Sequence, residues 1–167
     1  MQAPAGVCRA AHPAPLTATA VASPGARRSP SAVSAAEIAR VDLFADLTPE
    51  QLARIAGWAR LRSVHGGERV TRRWDASRDF FVILRGTADV ERDNQRIGDL
   101  AEGSFFGELA AVDWGAGYGY PRLATVTTTS PMRLLVLEPS HLNRLMTEAP
   151  PLAARVREAM RTRLATV

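Results

Sequence analysis

The sequence contains no lysine; all 21 basic residues among its 167 are arginine. That excludes a phosphate-loop lysine, a Schiff-base lysine and a Ser–Lys dyad. There is one cysteine, Cys8, so neither an intrachain disulfide nor a thiolate metal cluster can form. A reducing, cytoplasmic compartment fits. The three histidines, His12, His65 and His141, are too scattered to read as a metal site. No apolar run approaches the roughly 20 residues needed to cross a bilayer, so no membrane span is expected. Neither G-x-S-x-G nor H-E-x-x-H occurs, and nothing else supports catalysis, so the chain does not read as an enzyme.

The net charge is +4, and its distribution matters more than its size. Residues 1–40 carry four Arg against one acid, whereas residues 41–167 carry 17 Arg against 16 acids. The basic balance therefore sits mostly at the N-terminus, which argues against a broad nucleic-acid footprint on the remainder. Residues 1–34 are rich in Ala, Pro and Ser and cannot bury enough apolar surface to offset their ordering entropy. They read as a disordered tail, with a folded domain over 35–167. The tail's Arg-bearing, acid-poor composition superficially resembles an organelle transit segment; a plain leader is the simpler reading.

Order is expected from Ala35, in a short helix to Val41 followed by Leu43 and Phe44 as buried anchors. Thr48-Pro49-Glu50-Gln51 is a helix-start signal: Thr48 caps, Pro49 suits the first turn, and Gln51 completes a capping box. Leu52, Ile55, Ala56 and Ala59 then follow at helical spacing. From Leu61 the period changes to two. Strands are expected at 69–71, 80–84, 87–91, 123–127 and 132–137, separated by turns at His65-Gly66-Gly67, Arg85-Gly86, Asp93-Asn94 and Thr129-Ser130-Pro131. Two helices close the chain, Ser140–Thr147 and one opened by Pro150-Pro151. In the second, Leu152, Val156, Met160 and Leu164 form an apolar stripe flanked by arginines. Many short strands with glycine turns indicate a sandwich or barrel rather than βαβ units.

One segment carries chemistry. In Gly103-Ser104-Phe105-Phe106-Gly107-Glu108-Leu109-Ala110-Ala111 the two glycines permit tight turns and close approach to a ligand. The residues after Gly107 read as a single helical turn whose open N–H groups can meet an anion. Downstream, Arg122 in Pro121-Arg122-Leu123-Ala124-Thr125-Val126 supplies a fork matched to two phosphate oxygens. Glu108 can accept a hydrogen bond from a sugar hydroxyl. Plainer readings stand beside these: Arg122 as a surface arginine, and Glu108 as a carboxylate favourable to a helix N-terminus.

Phe106-Gly107-Glu108-Leu109-Ala110 followed by Arg122-Leu123-Ala124-Thr125-Val126 resembles the phosphate-binding cassette of the cyclic-nucleotide-binding domain family. Gly67-Glu68, the strand Asp79–Leu84 ending at Gly86, and Glu102-Gly103 extend the likeness over roughly 43–164. The resemblance implies an α+β fold: an antiparallel β-roll (double-stranded β-helix, jelly-roll-like) flanked by N-terminal and C-terminal helices. It implies that Arg122 and the N–H groups of Leu109 and Ala110 bind a cyclic phosphate and Glu108 the ribose 2′-hydroxyl. It also brings Gly107 close to the ribose and Thr125 near the phosphate or base. Leu123 and Ala124 complete the expected ligand-binding set, with no separate cofactor. Leu123, where guanine-selective members tend to have Thr, favours cAMP over cGMP.

The family's C-terminal helix moves on binding and often forms a dimer seam, so a homodimer through it is within expectation. The expected role is a sensor that signals through these helices to an effector the sequence does not name. A degenerate roll that serves as an interaction module without nucleotide is the alternative. No helix-turn-helix follows the last helix within these 167 residues, so direct DNA binding is not expected. Two departures from the family stand out. Glu108 and Arg122 are 14 positions apart, and the stretch Asp113–Tyr120 between them reads as a loop over the pocket or as slack that lets Arg122 arrive from a shifted position, its aromatics as loop packing rather than base-stacking groups. Trp74 stands where a small residue is usual, which reads as a packing variation.

Overall fold

A computed structural model of the chain describes residues 33–113 and 120–165. Of the expectations above, the tail through residue 32 and the stretch 114–119 lie outside the described residues. The first described residues already belong to the body: Val33 is buried and the Ser34 hydroxyl caps α1 (Ala35–Ile38) by accepting the Glu37 N–H. Sequence composition had left both in the tail. The helix also stops three residues short of the expected Val41, giving way to a 3-10 turn at Asp42–Phe44. Leu43 and Phe44 are buried there as anticipated.

Helix α2 (Pro49–Trp58) begins with the anticipated capping box. The Thr48 hydroxyl accepts the Gln51 N–H, and the Thr48 N–H donates to the Gln51 side chain. Among the described residues eight strands follow: β1 (Arg60–Val64), β2 (Arg69–Thr71), β3 (Phe80–Arg85), β4 (Ala88–Arg92), β5 (Gln95–Leu100), β6 (Phe105–Phe106), β7 (Thr125–Thr128) and β8 (Met132–Leu137). They form two antiparallel four-stranded sheets, ordered β1-β8-β3-β6 and β2-β7-β4-β5. Between β6 and β7 lies the single turn α3 (Glu108–Ala111), and α4 (Pro139–Glu148) and α5 (Pro150–Ala165) close the chain. The molecule is an α+β β-roll with helices at both ends.

The first sheet is covered on both faces, so β3 and β8 are continuous apolar runs rather than alternating ones. In β3, Phe80 and Val82 face the helices, while Phe81 and Ile83 face the second sheet. In β8, Leu135 and Leu137 take the helix side, and Leu134 and Val136 the sheet side. The helix-side core also holds Ile55, Leu142, Leu145, Leu152, Val156 and Met160, so α4 and α5 are pinned to the roll by apolar burial. Leu164, the last residue of the stripe, is only half-buried.

Two turns explain their residues. Asp93 and Asn94 both have positive φ (51° and 62°), the geometry of a two-residue hairpin linking β4 to β5. Gly86 has φ 96°, and a Cβ there would sit 2.5 Å from the Pro131 carbonyl oxygen, so only glycine fits.

Trp74 is the exception. It adopts φ 73° and is 65% exposed, with the Arg73 guanidinium 4.6 Å above its ring. It is therefore not a packing variation. The backbone takes the left-handed form a glycine would favour, and the indole lies outside the core.

Candidate functional site

The cassette starts at Gly107, which has φ 90° and caps α3. A Cβ here would meet Arg122 Nη1 at 2.4 Å and the Asp79 carbonyl oxygen at 2.7 Å. The left-handed backbone and the close approach of Arg122 thus both require glycine. The Gly107 carbonyl turns inward and accepts the N–H groups of Ala110 (3.2 Å) and Ala111 (3.0 Å). The Ala110 N–H, which the resemblance assigns to a phosphate, is here hydrogen-bonded within the turn. Arg78 Nε donates to the Ala110 carbonyl at 2.9 Å and ties the turn to the segment before β3.

Glu108 is buried, at 1% exposure. Its Oε2 accepts Nη1 of Arg163, which reaches across from α5 at 2.6 Å. The same guanidinium donates through Nη2 to the Phe105 carbonyl at 2.8 Å and lies 5.3 Å over the Phe105 ring. Arg163, one of the arginines that flank the apolar stripe of the last helix, is thus the charge partner of a buried carboxylate. The sequence held a signal for it. Arg163 lies seven residues after Val156 and three after Met160, on the same face of the helix as the buried stripe.

Arg122 is 3% exposed. Its Nε donates to Ser77 Oγ (3.2 Å), Nη2 to the Asp79 carbonyl (2.6 Å) and Nη1 to the Gly107 carbonyl (3.4 Å). The guanidinium sits 5.4 Å over the Phe81 ring. Burial pulls its pKa below the usual arginine value, opposed by Asp79, Glu108 and Asp75; it remains a cation at any physiological pH. The main chain is held as well. The Arg122 N–H donates to the Asp75 carbonyl (3.1 Å), and the Arg122 carbonyl accepts the Trp74 N–H (2.8 Å). Hence the 14-residue separation from Glu108 does not displace Arg122 from the site.

Both residues line one cleft of about 290 Å³, close to the lower end of common ligand pockets at roughly 300 Å³. Gly107, Glu108, Leu109, Ala110, Leu123 and Ala124 line it too, with Val90, Ile97 and Leu100 from the β4–β5 hairpin. Thr125 is not on this wall. Side chains alternate along β7, so Ala124 and Val126 face the cleft, while the Thr125 hydroxyl accepts the Arg73 N–H at 3.1 Å. The structure therefore brings together every anticipated site residue except Thr125.

The other polar candidates lie elsewhere. The His65 N–H donates to Glu68 in the β1–β2 turn, and His141 stacks on Trp58 with ring centres 4.7 Å apart. Among the described residues, no group of three or more His, Cys, Asp or Glu side chains is placed to hold a metal ion. No described helix is long and apolar enough to cross a membrane.

The sequence model of the cyclic nucleotide-binding domain matches residues 61–149 of this chain, the span that holds both buried charges of the cleft. The chain belongs to that family. Its relatives include a cyclic nucleotide-gated potassium channel of Mesorhizobium japonicum, 31% identical over 70% of this chain and 31% of the channel. The cAMP-dependent protein kinase regulatory subunit of Mycosarcoma maydis is 30% identical over 64% of this chain and 21% of that protein. The chain thus spans under a third of either relative. The regulatory domain of Toxoplasma gondii PKA, solved with cAMP, superimposes with a TM-score of 0.66 at 18% identity. It covers 77% of this chain and 49% of that one, a likeness of fold.

Proposed function

We propose that the cleft binds a purine cyclic nucleotide, cAMP in preference to cGMP, and that α5 reads its occupancy. The observation that carries this is the buried pair Arg122 and Glu108 on the wall of one cleft. A guanidinium has five N–H donors. Arg122 directs one each from Nε, Nη1 and Nη2 to protein acceptors, which leaves one on each terminal nitrogen for a bidentate phosphate. Glu108 accepts Arg163 at Oε2, and its other oxygen can take the ribose 2′-hydroxyl. The base then lies against Val90, Ile97, Leu100 and Leu123, none of which offers a side-chain hydrogen bond to guanine. The two relatives, a cyclic nucleotide-gated channel and a cAMP-dependent regulatory subunit, favour the same ligand class.

The chain is read as a regulatory binding module rather than a catalyst, acting in the cytoplasm on an effector protein. Because Glu108 is paired with Arg163, a ligand that engages Glu108 changes the environment of α5. It shifts the helix only by its differential affinity for the two helix positions. Calorimetric titration of the full chain with cAMP and with cGMP tests the proposal: cAMP should bind more tightly. The absence of heat with both would overturn it. One observation favours a second reading, a roll that binds no nucleotide. Arg122 already has three protein acceptors, and these can be its whole role. A silent titration with an intact fold is the outcome that reading expects.

A further inference from the structure

The cassette turn is gripped at both ends by the C-terminal helices, and the second grip comes from a residue with no evident role in the sequence. Asn143, on α4, makes three hydrogen bonds with its side-chain amide. Nδ2 donates to the Ala111 carbonyl (3.0 Å) and to the Pro139 carbonyl one turn earlier on α4 (2.8 Å). Oδ1 accepts the Asp113 N–H at 3.0 Å. The bonds to Ala111 and Asp113 satisfy the two backbone groups where α3 ends and the loop leaves. An amide is suited to this because it donates twice and accepts at one side-chain terminus. A carboxylate supplies only the acceptor, and an aliphatic side chain supplies neither.

We propose that Asn143 is a positioning residue for the cassette: it locks the exit of α3 to α4, so the phosphate-facing turn and the C-terminal helices move as one body. Glu108 at the start of the turn is tied to α5 by Arg163, and Ala111 and Asp113 at its end are tied to α4 by Asn143. The turn is four residues long, too short to hold its own geometry, so its shape is imposed from these two ends. The role in holding the turn stands on the geometry alone; the consequence for affinity rests on the nucleotide-binding reading above.

The test uses the full chain as wild type, Asn143→Ala and the near-isosteric Asn143→Asp, which keeps the question open to an answer if the alanine variant folds poorly. Hydrogen exchange without nucleotide is read at the amides of residues 108–113 and, as internal references, of β3 and β8. Asn143→Ala should speed exchange at Ala111, Val112 and Asp113 about ten-fold or more, with β3 and β8 unchanged. Asn143→Asp should keep Asp113 protected better than the alanine variant does, since its acceptor remains. Calorimetry with cAMP should then show affinity weakened about ten-fold in Asn143→Ala, with nucleotide no longer slowing exchange in α4. Wild-type exchange at the cassette in both variants, or a uniform rise across the whole protein, overturns the positioning role. So does unchanged cAMP affinity beside a binding wild type. If wild type takes up neither cAMP nor cGMP, the nucleotide reading fails on that result, while the exchange pattern still decides what Asn143 does.

Discussion

Arg122 and Glu108 are both buried charges on the wall of one cleft, yet the chain holds them by different means. Arg122 is held by the roll. Its main chain is bracketed by the Trp74 and Asp75 turn, and its side chain by Ser77 and two carbonyls, all in the segment before β3 or in the cassette itself. Glu108 has its charge partner outside the roll, in Arg163 near the end of α5. One side of the site is built into the scaffold, and the other depends on where a helix lies. On the proposed reading, Arg122 is the fixed anchor for the ligand and Glu108 the contact whose surroundings can change.

The most severe way to break this comparison is to remove the fixed side. Arg122→Ala should weaken cAMP binding by about 2–5 kcal/mol, because a buried phosphate loses its charged partner; calorimetry reads the loss directly. Gly107→Ala should come next, destabilising the fold by roughly 2 kcal/mol in urea unfolding. The left-handed backbone is strained for alanine, and the new methyl collides with Arg122. On the dependent side, Arg163→Ala should cost about 1–2 kcal/mol of stability. That is below the roughly 3–5 kcal/mol for splitting a fully buried pair, since the Arg163 side chain is 35% exposed. It should also abolish any nucleotide-dependent change in α5 hydrogen exchange, while Arg122→Ala leaves the ligand-free exchange of α5 unaltered. The smallest effect belongs to Trp74→Gly. Relief of the left-handed penalty of about 1–2 kcal/mol is largely offset by the greater chain entropy of glycine and the lost contact with Arg73. Thermal unfolding should show equal or slightly higher stability; a clear loss would mean the indole packs against something essential.

Much of the scaffold could be read from local chemistry. The Thr48 capping box, the β3 and β8 runs and the Asp93-Asn94 hairpin each follow from residues close together in sequence. Strand β5 could not be read this way. Gln95–Leu100 is an edge strand with one buried residue, Leu100, so it carries no apolar alternation to detect. Strand β7 begins at Thr125 rather than Leu123 because the main chain at Arg122 pairs with the Trp74–Asp75 turn instead of a strand. The cassette residues were legible through the two motif halves. The Thr125 side chain lies off the cleft wall, bonded to the Arg73 N–H; a motif records spacing, not which side of the strand faces the cleft.

The amino-acid sequence by itself determined the roll, its helical ends, the glycine at the cassette and the two charges that define the cleft. The helical ends rest on interactions within a turn or a helical face, which sequence neighbours settle among themselves; the roll and the cassette residues were legible through the family resemblance. Only the tertiary structure decided which of 21 arginines meets Glu108 and which amide closes the far end of the cassette. Arg163 lies 55 residues from Glu108, and Asn143 lies 32 from Ala111. A side chain's partner over such a distance is chosen by how α4 and α5 dock on the roll. That docking comes from the summed burial of Leu142, Leu152, Val156 and their neighbours, not from any property of the arginine or the asparagine.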